Sequence, residues 1–237
     1  ERASAKLTKR TGEAMPQRVG ILGGTFDPVH IGHLRAAEET AEALGLETVL
    51  FIPAADPPHK TGKRVQPYLH RRRMLELSLE GHPLFRISDV EQQMPGKSYS
   101  VLTLRKLRRE LLPDAQLYFL VGLDAFLELN TWWHYRELFQ LAHLAVLRRP
   151  GYDERRMADF LTQNVSPLYV RDATHARFDH PELCSVHYLH NTHLEISSTR
   201  IRSLFQEGRS IRYLVLPGVM GYIQANQLYR FERTIIS

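Results

Sequence analysis

Two histidines near the start of the chain, His30 and His33, are the residues whose types and spacing most clearly suggest chemistry. They follow a short apolar run and two glycines in the string V-G-I-L-G-G-T-F-D-P-V-H-I-G-H-L, residues 19–34. This pattern predicts a strand, a turn and a helix. Gly23 and Gly24 let the backbone approach a ligand, and a helix start presents free N–H groups and a positive dipole end. The corner would therefore suit a phosphate, with both imidazoles on one helix face pointing at the same anion.

Residue types alone leave other interpretations of this corner open. Strand, glycines and turn can form a tight connection, and a His-x-x-His pair can serve capping or packing. The pair could also bind a metal, but two histidines are an incomplete ligand set and Asp27 precedes the helix. Neither known phosphate-loop pattern fits, because no Gly-x-Gly-x-x-Gly follows the strand and no Gly-Lys-Ser/Thr closes the loop. Gly32 has no side chain and would therefore leave the surface between the two histidines open.

A second helix start of the same kind, called here the second corner, lies near the carboxyl end in I-S-S-T-R-I-R, residues 196–202. Ser198 or its neighbour would be the N-cap, which leaves amides and hydroxyls free at the helix start, with Arg202 one turn further along. Taken alone, this is a common capping arrangement. Paired with the first corner, it favours a functional interpretation over simple helix capping.

Three loops that follow predicted strands carry polar groups. One loop, Pro57-Pro58-His59-Lys60, places a His and a Lys where they could receive a phosphate. The same loop could equally be a simple exposed turn. Gly122-Leu123-Asp124 ends the central strand with a carboxylate that could hold a ribose hydroxyl or cap the next helix. Arg149-Pro150-Gly151 can be a simple turn. Trp132-Trp133 could offer a stacking face to an aromatic ring, although adjacent tryptophans more often serve packing.

The full strings are more specific than their parts. G-G-T-F-D-P-V-H-I-G-H and I-S-S-T-R-I-R resemble the two halves of the signature of the nucleotidyltransferase superfamily. P-P-H-K, S-Y-S-V-L-T-L, G-L-D-x-F-x-x-L-x-x-W-W and R-R-P-G narrow the resemblance to the bacterial-type nicotinate mononucleotide adenylyltransferases, in the expected order from residue 19 to residue 223. Ser100 in S-Y-S-V-L-T-L is a mild departure, since Thr is more usual there and the hydroxyl is kept.

The resemblance implies transfer of the adenylyl group of ATP to nicotinate mononucleotide, with Mg²⁺ arriving with ATP. It implies His30, His33 and Arg202 as catalytic residues. The implied ATP-binding residues are Gly23, Gly24, Thr25, Phe26, His30, His33, Gly122, Asp124, Ile196, Ser198, Thr199 and Arg202. The implied mononucleotide-binding residues are Thr25, Phe26, His59, Lys60, Thr103, Trp132, Trp133 and Arg149. Among these, Trp132 would stack on the pyridine ring, Thr103 and the region of Trp133 would surround its carboxylate, and His59 or Lys60 would take the phosphate.

Other functions compete with this one. Another adenylyltransferase of the superfamily would share both corners, with nicotinamide mononucleotide or phosphopantetheine as the acceptor. Phosphopantetheine does not explain the Trp pair or P-P-H-K. A non-catalytic ATP-binding module is disfavoured by the intact histidines and Arg202. A nucleic-acid binder is disfavoured because the basic residues form short separate groups, which are more typical of solvated helix faces: residues 71–73, 105–109, 148–149 and 155–156.

Apolar strands alternate with helical patterns along the chain. This alternation predicts an α/β fold, Rossmann-like and doubly wound, with a mainly parallel sheet and helices on both faces. We expect a single domain over residues 18–237, after a flexible basic tail at residues 1–17. The last third is less regular: residues 165–170 can be strand or loop, and residues 174–181 have no clear period.

The bulk properties fit an ordinary globular protein. Of the 237 residues, 43% are hydrophobic and 24% charged, with a net charge of +5. No apolar run approaches the roughly 20 residues of a membrane span. With a single cysteine, no internal disulfide forms, which fits a reducing compartment. We therefore expect a cytoplasmic enzyme, with no membrane or nucleic-acid partner, that is a monomer or a weak homo-oligomer.

Overall fold

The apolar run before the first glycine pair forms a strand in the middle of a sheet. The computed structural model describes residues 16–57, 65–151, 153–172 and 174–229. Within these ranges the strands are β1 (Arg18–Gly24), β2 (Thr48–Pro53), β3 (Phe85–Ile87), β4 (Gln116–Gly122), β5 (His143–Leu147), β6 (Val170–Arg171), β7 (Arg177–Asp179) and β8 (Val186–Leu189). They form one sheet in the order β3-β2-β1-β4-β5-β8-β7-β6.

The sheet is parallel from β3 across to β8. Ile21 of β1 lies opposite Leu50 on one side and Phe119 on the other, so β1 is buried between two neighbours. Parallel strands need crossover connections, and here helices supply them. The prediction of a mainly parallel α/β sheet is confirmed. Ligands bind beyond the carboxyl ends of the strands in such folds, which is where the β1 glycines lie.

The α-helices lie on both faces of this sheet. Their bounds in the described part of the chain are α1 (Ile31–Leu44), α2 (Tyr68–Leu79), α3 (Ser100–Lys106), α4 (Leu123–Phe126), α5 (Tyr135–Leu141), α6 (Glu154–Phe160), α7 (Ser198–Gln206) and α8 (Pro217–Ala225). α3 and α6 each continue into one π-helical turn. α3, α5 and α6 pack against one face, whereas α1, α2, α7 and α8 pack against the other.

Strand β4 shows how the sequence fills both cores. Leu117 and Phe119 belong to the core on the α3 side, and Tyr118 and Leu120 belong to the core on the α1 side. Successive strand side chains point to opposite faces, so a strand covered on both sides is a continuous apolar run rather than an alternating one. The doubly wound prediction is therefore confirmed.

The last third contains a small antiparallel extension. β6 pairs with β7, where Val170 lies opposite Asp179, and β7 pairs with β8. The sequence left residues 165–170 undecided and found no period in residues 174–181. Strands of two and three residues are too short to show an alternation, and Val170 is 67% exposed.

The basic group at residues 71–73 is divided between core and solvent. Arg72 and Arg73 form ion pairs with Glu76 and remain partly exposed, as the sequence predicted. Arg71 is only 2% exposed, which the sequence did not predict. Residues 1–15 of the predicted tail lie outside the described residues. None of the helices that the structure describes is long and apolar enough to cross a membrane.

Candidate active site

The two signature histidines meet where β1 leads into α1. His30 is the residue before the helix, with extended backbone angles, and His33 lies in its first turn. Their rings stack with 3.6 Å between centroids, and the His30 backbone N–H donates to Nδ1 of His33 at 3.2 Å. The two histidines are therefore brought together as predicted, but as a stacked pair across the helix start rather than as neighbours along one helix face.

Gly32 makes room for this stack. A Cβ at Gly32 would stand 3.0 Å from Nδ1 of His30 and 3.8 Å from Cβ of Ile196. Contacts near 3.0 Å force a neighbour to move, so any side chain here would displace the His30 ring. Cβ of Ile196, from the second corner, lies at ordinary van der Waals distance from this position, so the two corners approach each other near Gly32.

Both histidines are held neutral. Burial, with a smaller contribution from the Arg149 charge, lowers the pKa of His30 to about 4. The pKa of His33 lies well below its ordinary value because of burial, with further lowering by His30 and Arg149. The pair therefore offers N–H donors rather than positive charges, and Arg149 is a cation beside it.

The second corner packs directly on the first. Ser197 is the N-cap of α7 and accepts the Arg200 N–H. The hydroxyl of Ser198 donates to the carbonyl of Pro28 at 2.8 Å. Two helix starts that lie far apart in the sequence thus face one site, which places the positive dipole ends of both helices beside it.

Between the two corners lies an open cavity of about 800 Å³, within the range of small-molecule sites. The predicted site residues that line it are Gly23, Gly24, Thr25, His30, His33, Gly122, Trp132, Trp133, Arg149, Ile196, Ser198 and Thr199. The cavity begins at the carboxyl ends of β1 and β4, as expected for a parallel sheet. It therefore joins most residues that the sequence assigned to the two substrates.

Four predicted residues lie outside this lining. Phe26 is buried, with its ring edge against His33. Thr103 is buried behind the wall, and its hydroxyl donates to Oε1 of Glu91 at 2.7 Å. Arg202 donates to the backbone carbonyl of Asp27 at 2.6 Å, and Asp124 lies beside Arg149. His59 and Lys60 lie outside the described residues.

Asp124 and Arg149 meet over Gly122. Their closest atoms, Oδ1 and Nε, are 3.5 Å apart, and each side chain is about half exposed. A Cβ at Gly122 would stand 2.5 Å from the Asp124 carboxylate and 3.3 Å from Nε of Arg149, so a side chain there would shift the carboxylate from its place beside Arg149. The sequence assigned Asp124 to ATP and Arg149 to the mononucleotide. The structure places the two together, with Arg149 close enough to affect both histidines electrostatically.

The two tryptophans differ in their surroundings. Trp132 is partly buried, and its ring meets Phe119 edge to face at 6.4 Å. Trp133 is 44% exposed, beside the Tyr99 ring at 5.2 Å and below the Arg105 guanidinium. Both line the cavity, and Trp133 has the more accessible ring.

Sequence reasoning missed two parts of the wall. Residues 191–194 line the cavity, and Thr192 is tied to Glu39 of α1 through its backbone N–H and its hydroxyl, both at 2.6 Å. Oδ1 of Asn191 is buried without a hydrogen-bond partner among the described residues. Glu91 also lines the cavity, is 8% exposed, and has no partner for Oε2 in the described chain. Glu91 stands in the polar stretch S-D-V-E-Q-Q, residues 88–93, so no sequence signal set it apart.

Comparison with known proteins agrees with this geometry. Residues 21–204 match the family model described as Cytidylyltransferase-like. A protein of Geobacter metallireducens, named "Probable nicotinate-nucleotide adenylyltransferase", is 43% identical over 91% of this chain and 100% of its own length. This chain belongs to the nicotinate-nucleotide adenylyltransferase family. A relative with the same name from Desulfitobacterium hafniense is 41% identical over 92% of this chain and 98% of its own length.

Solved structures support the fold of this adenylyltransferase family member. Plasmodium falciparum nicotinic acid mononucleotide adenylyltransferase complexed with NaAD superposes with a TM-score of 0.69, at 17% identity, covering 90% of this chain and 97% of the other. The same enzyme complexed with APC gives a TM-score of 0.67 at 16% identity, with the same coverage. The Rossmann-like architecture is therefore shared at low sequence identity.

Proposed function

We propose that this protein transfers the adenylyl group of ATP to nicotinate mononucleotide, giving nicotinate adenine dinucleotide and pyrophosphate. The proposal rests on the meeting of the two signature corners. There the Ser198 hydroxyl donates to the Pro28 carbonyl, and Ile196 lies beside Gly32. The family membership and the cavity between the corners support it. The mononucleotide phosphate would attack the α-phosphorus of ATP, and the bond to the β-phosphate oxygen would break.

The proposed chemistry needs donors rather than a base. A phosphate monoester has a second pKa of ~6 and is already ionised at neutral pH. His30 and His33 would donate to the ATP phosphates through their N–H groups, together with the backbone of Gly24 and Thr25. These fixed donors would stabilise the charge that develops as pyrophosphate leaves.

The second corner would hold the far end of the triphosphate. Ser198 and Thr199 line the cavity at the start of α7, where amides are free. Arg202 now lies against Asp27 and Thr199, with its Nη2 3.2 Å from the Thr199 hydroxyl. We propose that it reaches the β- and γ-phosphates through this position beside Thr199. Gly122 and Asp124 would face the adenosine.

Mg²⁺ is proposed as part of the ATP substrate. The nearby carboxylates fit this role better than that of a protein cage. Asp27 accepts from Tyr229 and the Gln66 N–H, and Asp124 faces the Arg149 cation. The ion would be held mainly by the triphosphate and would neutralise its charge.

The mononucleotide would lie along the Trp side of the cavity. Trp132 or the more exposed Trp133 would stack on the pyridine ring, with Arg149 near the phosphates. Thr103 would act indirectly, since its hydroxyl is already bonded to Glu91. His59 and Lys60 stay predictions for the mononucleotide phosphate.

One feature of the wall favours a second acceptor, nicotinamide mononucleotide. Glu91 lines the cavity, and its carboxylate would repel a pyridine carboxylate bound near it, whereas a pyridine amide would meet no such repulsion.

The test is pyrophosphate release with ATP and Mg²⁺, offering nicotinate mononucleotide and nicotinamide mononucleotide in parallel. Fast release with the acid alone supports the proposed acceptor. Fast release with the amide alone makes nicotinamide mononucleotide the substrate, and release with neither contradicts both assignments.

A further inference from the structure

Arg71 is a buried cation to which the proposed reaction gives no role. It lies in the first turn of α2 with 2% of its surface exposed. Its Nε donates to the carbonyl of Gln66 at 2.9 Å, Nη1 to that of Thr25 at 2.8 Å, and Nη2 to that of Ala54 at 2.8 Å. Three nitrogens of one guanidinium thus bind three backbone carbonyls.

The three carbonyls belong to three different parts of the chain. Thr25 lies in the turn after β1, Ala54 follows β2, and Gln66 precedes α2. Thr25 and Ala54 both line the cavity, and the Ala54 N–H also donates to the Gly24 carbonyl at 2.9 Å. Arg71 therefore fixes the relative placement of the two chain segments that form this side of the site.

Phe26, the next residue after Thr25, has a backbone conformation that needs support. Its φ of +50° is a left-handed value that side chains rarely adopt. Arg71 holds the peptide carbonyl before it, and Arg202 holds the Asp27 carbonyl after it. The Phe26 ring in turn packs against His33. Arg71 is thus connected to the histidine pair through a single residue, Phe26.

A buried guanidinium is costly unless its donors are satisfied, and here burial lowers its pKa while the nearby Asp27 charge opposes that shift. Lysine carries the same charge on a single nitrogen without the planar fork, so it cannot reach three carbonyls in these directions. The three bonds are therefore specific to arginine.

We propose that Arg71 is a positioning residue that holds the turn after β1 and the chain after β2 in one arrangement, so that the two substrates meet in line. The inference rests on the proposed adenylyl transfer. Each substrate keeps its own contacts when Arg71 is changed, but their relative placement is lost. The effect is therefore on turnover rather than on binding.

The test compares Arg71→Lys with Arg72→Lys in steady-state kinetics. A misplacement of about 1 Å can cost on the order of 100-fold, so we expect kcat of Arg71→Lys to fall by about 10- to 100-fold. KM for ATP and for the mononucleotide should stay within about threefold, the pattern of an interaction needed in the transition state. Arg72, the next residue on the same helix, pairs with Glu76 and Asp89 at the surface, and its change should leave kcat within about twofold.

A second variant separates positioning from folding. Arg71→Ala leaves a space of guanidinium shape, and added guanidinium at low millimolar concentration should restore part of its kcat. Near-ultraviolet circular dichroism and calorimetric ATP binding establish that each variant is folded. A folded Arg71→Lys with normal kcat, a loss confined to KM, or equal loss in Arg72→Lys overturns the proposal. Failure of both Arg71 variants to fold also overturns it, by making Arg71 a folding residue. An inactive wild-type protein instead contradicts the proposed function.

Discussion

The His30 backbone N–H donates to Nδ1 of His33 at 3.2 Å, while the two imidazoles stack with 3.6 Å between their centroids. Because Nδ1 of His33 accepts this bond and the low pKa keeps the ring neutral, its proton resides on Nε2. His33 thus has a fixed tautomer with one N–H donor available. This arrangement suits stabilisation of an anion better than proton transfer.

Replacing His33 by Ala should lower kcat by at least ~100-fold, since it removes a fixed donor to the charge that develops in the transition state. KM for ATP should change less. Steady-state pyrophosphate release measures both, with the exposed His190→Ala as control. Near-normal turnover in folded His33→Ala would exclude this role.

Gly32→Ala should separate activity from stability. A Cβ at this position comes within 3.0 Å of Nδ1 and 3.2 Å of Cε1 of His30, so the stack must shift and kcat should fall by about 10-fold. Alanine is up to about 1 kcal/mol better than glycine within a helix, and Gly32 lies in the first turn of α1, so a smaller gain should offset part of the steric cost to stability.

The matched control for this change is Gly221→Ala in α8, where a Cβ meets nothing within 4 Å. Turnover and thermal unfolding are measured on both variants. The control should keep full activity and gain slightly in stability. Equal activity of both variants would contradict the role of Gly32.

A second histidine pair, which does not line the cavity, should make stability depend on pH. The Ser185 hydroxyl lies 2.7 Å from Nδ1 of His143 and 3.0 Å from Nε2 of His187. Burial is the largest cause that lowers the pKa of His187 to about 4. The unfolded chain therefore binds more protons than the folded chain between pH 6.5 and pH 4.

The stabilising contribution of neutral His187 is thus present above about pH 6.5 and is lost as the pH falls toward 4. The loss is on the order of 3 kcal/mol in the free energy of unfolding. Urea unfolding of the wild type and of His187→Gln at pH values across this range measures it. The variant should lose less stability on acidification than the wild type, and the His190→Gln control should match the wild type. Parallel pH curves for wild type and His187→Gln would contradict the prediction.

The hydrophobic pattern and the turn residues between elements predicted most of the fold. β1, α1 and the glycines between them follow from residues 19–34, because a buried parallel strand is a continuous apolar run and the turn residues are distinctive. The β6–β7 hairpin could not be predicted, since its strands are two and three residues long and lie at the sheet edge. Their position depends on pairing with β8, which is a tertiary property.

Site residues were predictable from the sequence where the local backbone geometry requires a particular residue type. Spacing brought His30 and His33 together, but it did not reveal that His30 precedes the helix and stacks on its partner. Arg71 could not be distinguished from Arg72 and Arg73 by charge pattern, because only the packing of α2 decides which arginine is buried. Thr103 lies within the right motif, yet its hydroxyl direction depends on Glu91.

Adenylyl transfer moves the α-phosphate of ATP to the mononucleotide, so the fate of that phosphate tests the proposed function directly. ATP labelled with ³²P at the α-phosphate is incubated with Mg²⁺, the protein and nicotinate mononucleotide, and the products are separated. The label should appear in nicotinate adenine dinucleotide, with one pyrophosphate released per dinucleotide formed. Label that appears in AMP, or ATP that loses only its γ-phosphate, would contradict adenylyl transfer to the mononucleotide.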